Sequence, residues 1–231
     1  MYEARRLLEK SLSIDPNYAR AYGILARTHV QTYLEPRDHD YLNSSGLDRA
    51  HALAQEAVRL DPRLPQAHAQ LGWVLAFKRR HEEAAAEFEH AISLNPNFTD
   101  FSFGLVLTFA GQAARAVDVL QANVRLDPFQ PAARLGYLGH AYYMLKRYAE
   151  SLPPLRDCAA RMSIFRIGHL WLAAAYAQSN QIADAKAAAG EVLRIEPGFT
   201  IDRWKCTAAY KVPADAEHLF DGLRMAGLPD S

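Results

Sequence analysis

The stretch from His81 to Glu89, "HEEAAAEFE", sets one imidazole and the carboxylates of Glu82, Glu83, Glu87 and Glu89 within nine residues. Such a set could do general acid/base work or hold a metal ion. A zinc peptidase needs two histidines four residues apart on one helical turn, with a glutamate between them, and this chain reads HEEAA. Arg37, Asp38, His39 and Asp40 offer further ligand atoms, but without the alternating acidic spacing and turn glycine of a calcium loop. Cys158 and Cys206 share no CxxC or metal-ligand spacing, so each is expected as a reduced thiol. The other histidines form no Ser/His/Asp or Cys/His arrangement, and no glycine-rich phosphate loop occurs. The sequence therefore predicts no catalytic residue, no metal site and no cofactor. His81 and its glutamates read as solvated decoration on the corner and back of a helical unit.

The composition describes the elements that carry these residues. Half of the 231 residues are hydrophobic and 23% are charged, as in ordinary globular chains. Alanine is abundant and β-branched residues are sparse, which predicts an all-α chain. Lys plus Arg is 26 and Asp plus Glu is 26, a balance that argues against a nucleic-acid binder. The one dense basic run, Lys78-Arg79-Arg80, is followed at once by Glu82 and Glu83. With no apolar leader and no uninterrupted apolar run of membrane length, the expectation is a cytoplasmic protein without membrane insertion.

Five phrases recur along the chain: "SLSIDPNYA", "AVRLDPRLP", "AISLNPNFT", "NVRLDPFQP" and "VLRIEPGFT". Their prolines, Pro16, Pro62, Pro96, Pro128 and Pro197, are separated by 46, 34, 32 and 69 residues. A period near 34 fits all four gaps, with an insertion in the first and one proline missing from the last. Within a period, Leu71, Val74, Leu75 and Ala76 form one apolar face, and Ala84, Phe88, Ala91 and Ile92 form another. A polar corner at 78–82 divides them. Asn95-Pro96 stops the second helix, and Gly72 sits where a neighbouring helix could approach closely.

In "AQLGWVLAFKRRHEEAAAEFEHAISLNP", the spacing of Leu71, Gly72, Ala84, Phe88, Ala91 and Pro96 resembles the tetratricopeptide repeat family. The slots recur around Leu25 and Ala26, Phe103 and Gly104, Leu138 and Gly139, and Leu172 and Ala173. The resemblance covers residues 2 to about 200 and implies a right-handed superhelical solenoid of about five helix pairs. Three departures stand out. Residues 35–47 lengthen one turn into a projecting loop. Pro153 and Pro154 should make a second helix start late or kink. The chain opens in a second helix without its first, as a piece cut from a longer protein would.

Residues 1–200 thus read as the repeat array and 201–231 as a capping segment. In the latter, Asp215 to Met225 forms an amphipathic helix bearing Leu219, Phe220 and Leu223. "HLFDGLRMAGLPD" after such an array resembles the C-terminal ends of bacterial class III adenylate/guanylate cyclases, whose catalytic domain lies upstream; the metal-binding aspartates of that domain are not in this chain. The family resemblance implies an inner groove lined by the first helix of each pair, which binds a peptide or helix. The helical period places Arg20 and Arg27, Trp73 and Phe77, Phe101, Leu105 and Phe109, then His140, Tyr143 and Met144, then Leu170 and Ala174, on that surface. Family members that hold acidic chaperone tails use Lys, Asn and Arg there. This chain has Gly23, Arg27, Ala69, Trp73, Phe101, Leu105, Gly136 and His140, so a carboxylate clamp is not expected. The expectation is a non-catalytic protein-interaction module for an apolar peptide or helix, with self-association as a homodimer or a structural spacer as the alternatives.

Overall fold

The computed structural model describes residues 2–35, 38, 41–126, 129 and 131–231. Among the described residues there are thirteen helices and no strand. The chain divides into two compact units, Met1–Val106 and Leu107–Ser231. Arg37, His39 and Asp40 of the candidate ligand set lie outside the described residues.

The first unit holds α1 (Tyr2–Ile14), α2 (Ala19–Leu34), α3 (Ser44–Leu60), α4 (Pro65–Phe77), α5 (His81–Leu94) and the start of α6 (Ser102–Phe109). α2 packs on α3 and α4 on α5 as antiparallel pairs, and α4 also packs on both α2 and α3. The second unit holds the rest of α6, then α7 (Ala113–Leu126), α8 (Ala133–Met144), α9 (Tyr148–Arg161), α10 (Arg166–Gln178), α11 (Ile182–Ile195), α12 (Ile201–Lys205) and α13 (Pro213–Met225). Its pairs are α8 with α9 and α10 with α11, and α10 rests against α8 and α9.

Two local devices repeat at the period read from the sequence. The first explains the Asp/Asn-Pro phrases: the side chains of Asp15, Asp61 and Asn95 each accept a 3.0 Å bond from the N–H two residues on. That turn, with proline barring further helix, points the chain into the next first helix. The second closes α4, α6, α8 and α10 but not α2, which ends at Glu35 in extended backbone. Arg79, Lys146 and Asn180 adopt φ near +60° and Gly111 a φ of +78°. The N–H of the next residue reaches back to Leu75, Tyr142, Tyr176 and Leu107 respectively. This is the left-handed helix-ending motif, and glycine is its unstrained occupant.

The core confirms the repeat slots. Leu71, Ala84, Phe88 and Ala91 are buried. A Cβ on Gly72 would lie 2.7 Å from Phe88 and 2.8 Å from the carbonyl of Ala84, and one on Gly139 would lie 2.5 Å from Leu155. The missing side chain is what lets paired helices touch.

Three local expectations differ from what forms. α3 begins at Ser44, inside the expected 35–47 loop, because the Asn43 side chain caps it by accepting from the Ser45 N–H at 3.1 Å. α9 starts on time at Tyr148 and continues through Pro153 and Pro154. The carbonyls those prolines leave without helical donors belong to Ala149 and Glu150, which are exposed and can be hydrated. His81 opens α5 and is buried at 4% exposure, while Glu82 and Glu83 are exposed, so the solvated corner excludes its histidine.

Candidate partner-binding surface

The acid/base cluster disperses when placed on α5. Glu83 forms a fork with Arg80 at 2.5 Å on the surface, which holds its carboxyl below the usual range. Glu87 does something the sequence did not suggest: it meets Nδ1 of His68, on α4, at 2.7 Å, and the other ring nitrogen faces the Pro62 carbonyl at 2.9 Å. Both nitrogens of the buried His68 face acceptors, and His90 packs edge-on against it at 4.4 Å. The group ties the end of one pair to the next. Among the described residues no set of three or more His, Cys, Asp or Glu side chains is arranged to hold a metal ion.

The inner face of the first unit is the side of α2 and α4 turned away from α3 and α5. On α2, Arg20, Ile24, Arg27 and Gln31 follow one another at helical spacing and are exposed or half-buried; Ile24 is 44% exposed. Arg27 donates to Ser102 Oγ at 2.8 Å, lies 3.7 Å from Asp100, and rests 5.0 Å from the Trp73 ring centre. Trp73 packs edge-on to Phe77 at 4.9 Å; both are buried, as is Leu105, whereas Phe101 is half-buried. Ile24 is the residue that sequence reading passed over. Its helical spacing from Arg20 and Arg27 is the sequence signal that marks it.

In the second unit the expected surface is covered from within the chain. Phe109, His140 and Tyr143 are buried and Met144 is half-buried. His140 stacks on Trp171 at 4.4 Å, and its Nε2 lies 2.6 Å from the hydroxyl of Tyr210. Complete burial disfavours its cation and pushes its pKa down to about 3. Tyr210 meets Phe109 edge-on at 5.0 Å, and the N–H of Lys211 donates to the Phe109 carbonyl at 2.8 Å. Tyr143 donates to the His218 carbonyl at 2.9 Å and stacks on its ring at 4.8 Å. α13 therefore lies on α10 and has little to do with α11. A cap continuing the stack would have rested on both helices. Leu170 and Ala174, also expected on this face, are buried.

Among the described residues no helix is long and apolar enough to cross a membrane. Residues 65–98 match the family model described as tetratricopeptide repeat. The transcriptional regulator HilA of Salmonella typhimurium is 27% identical over 145 residues, covering 62% of this chain and 26% of that protein. A putative adenylate cyclase 3 of Rhizobium meliloti is 36% identical over 89 residues, 38% of this chain and 14% of that protein. The chain thus spans about a quarter or less of the length of these relatives. Among solved structures, a thermophilic TPR protein of Thermus thermophilus superposes with a TM-score of 0.61 at 19% identity, over 79% of this chain and 95% of its own. Proteins of this fold bind protein partners and are generally non-catalytic. With a matched repeat at 65–98 and the same helix pairing on either side of it, the chain carries a tetratricopeptide repeat within a helical-repeat fold of that type.

Proposed function

We propose that this chain is a protein-interaction module of a larger bacterial regulator, in the cytoplasm, and that it captures a partner segment on the inner face of its first unit. The observation that carries this reading is the accessible stripe Arg20, Ile24, Arg27 and Gln31 on α2, bordered by the half-buried Gln66, Gln70 and Phe101. An exposed isoleucine between two arginines suits a helix or extended peptide with an apolar side chain flanked by a carboxylate. Trp73, Phe77 and Leu105 support that face from beneath by fixing Arg27 and its neighbours. The similarity to part of a putative adenylate cyclase and part of a transcriptional regulator favours a parent of the signalling kind.

Selection of displayed peptides on the purified chain tests this. Selected peptides should be apolar with an acidic residue, and Ile24→Asp or Arg20→Glu should weaken their binding at least tenfold. Glu89→Lys, on the exposed back of α5, should leave binding unchanged. Peptides that bind both inner-face variants like the original chain would sink the proposal. A dimer in light scattering that Ile24→Asp dissolves would instead assign the stripe to a second copy.

A further inference from the structure

The second unit presents, already occupied, the kind of surface proposed above for the first. Its occupant combines an extended stretch with an amphipathic helix, two forms in which repeat arrays of this type could take a ligand. Residues 207–212 run past α6 and α8, with the Tyr210 ring between Phe109 and His140 and the Lys211 N–H on the Phe109 carbonyl. α13 then crosses α10. Tyr143 donates to the His218 carbonyl, and Tyr148 Oη lies 3.2 Å from His218 Nε2. Gly222 provides the close approach: a Cβ there would sit 2.7 Å from Tyr143 Oη and 3.0 Å from the Cβ of Ala174. Leu219 and Leu223 are fully buried.

Two features separate this segment from the array beneath it. α13 rests mainly on α10 and hardly touches α11, whereas α8, α9 and α10 each pack on a partner and on a neighbouring pair. It is joined to α12 through residues 206–212, which form no helix. An array stabilised by nearest neighbours keeps its internal pairs when a terminal element leaves. A terminal helix joined by a non-helical lead opens more readily than the doubly flanked helices α8 to α10 beneath it.

We infer that residues 206–230 form a releasable strap, and that the face it uncovers, with Phe109, His140, Tyr143 and Ala174, takes an amphipathic helix of the strap's own pattern. The pattern is a tyrosine on an extended lead, a small residue where the helices touch, and two leucines four residues apart, as in Tyr210, Gly222, Leu219 and Leu223. The strap belongs to the second unit, and it stands whether or not the first unit binds a partner.

Hydrogen exchange on the intact chain gives one test. Amides of 213–226 should exchange through an opening at least tenfold more frequent than those of α8 to α11. Equal protection of α13 and α10 would overturn the inference. A second test uses Gly222→Val, whose side chain cannot fit against Tyr143 and Ala174. This variant should keep the helicity and cooperative unfolding of the array and lose protection only in 213–226. It should bind a synthetic peptide of residues 206–230 at least tenfold more tightly than the unsubstituted chain does, and Tyr210→Ala in the peptide should abolish the gain. Loss of array helicity in the variant would make the segment part of the core and end the proposal, as would equal peptide binding by both chains.

Discussion

Removing the Glu196 carboxylate should cost more stability than any surface ion pair in this protein. Glu196 stands where other periods have Asp or Asn before the proline, and it pairs with Arg166 at the start of α10. The side chains of the two are 5% exposed for Arg166 and 8% for Glu196. The guanidinium also lies 5.7 Å from the Phe199 ring centre. Glu196→Ala would leave a charged guanidinium nearly out of water with its main counter-charge gone. Loss of one partner of a buried pair costs about 3–5 kcal/mol, against roughly 0–1 kcal/mol for an exposed pair such as Arg194 with Glu191. At about 2–4 °C per kcal/mol for a chain of this size, the melting point should fall by roughly 6–20 °C. Replacing both residues, Arg166→Met with Glu196→Leu, should recover most of the loss, because the desolvated charge goes with its partner. Urea unfolding followed by circular dichroism measures both, with Glu191→Ala as the exposed comparison. A Glu196→Ala loss under about 1 kcal/mol, the ceiling for an exposed pair, or a double variant as unstable as the single, would refute the reasoning.

Three further outcomes are expected. Lys146→Gly should stabilise the chain by about 1 kcal/mol in urea unfolding, since it relieves a left-handed non-glycine residue, while Gly111→Ala should destabilise because its φ is +78° and its Cβ would meet Val212 at 2.9 Å. Gly72→Ala should cost about 1–3 kcal/mol by overpacking, because one of the atoms in its way is the Ala84 backbone oxygen, which cannot rotate aside. His140 titrates near 3 when folded and near 6.5 when unfolded, so the unfolded chain takes up the proton first. Stability should therefore fall as pH drops below about 6.5, by roughly 3 kcal/mol at pH 4, and His140→Phe should remove that part of the slope in unfolding measured at both pH values.

What could be read in the sequence is what is decided within one period. The proline phrases, the apolar slots and the glycine at position 72 act over a few turns of chain, so their spacing carried the helix pairs and the repeat. Turn chemistry is equally local, and Asp15, Asp61 and Asn95 do what their type allows next to proline. The late start expected at Pro153-Pro154 did not occur, because the cost of a proline in a helix depends on whether the stranded carbonyls are buried, which composition does not reveal. His81 failed likewise: a polar corner in sequence does not say which of its side chains turns inward.

The expected partner surface lies at the other extreme. Trp73, Phe109, His140 and Tyr143 carry the same helical spacing whether they face solvent, a partner or their own chain. His140 meets Tyr210, 70 residues away, and Tyr143 meets His218, 75 residues away. The repeating helices, and the residues that stand on their first-helix faces, were legible in the chain alone, because periodicity and turn residues act locally. That the tail lies across that face in the second unit, while a plainer stripe around Ile24 stays accessible in the first, emerged only from tertiary packing. Burial of a helix face is fixed by whatever distant segment comes to rest on it.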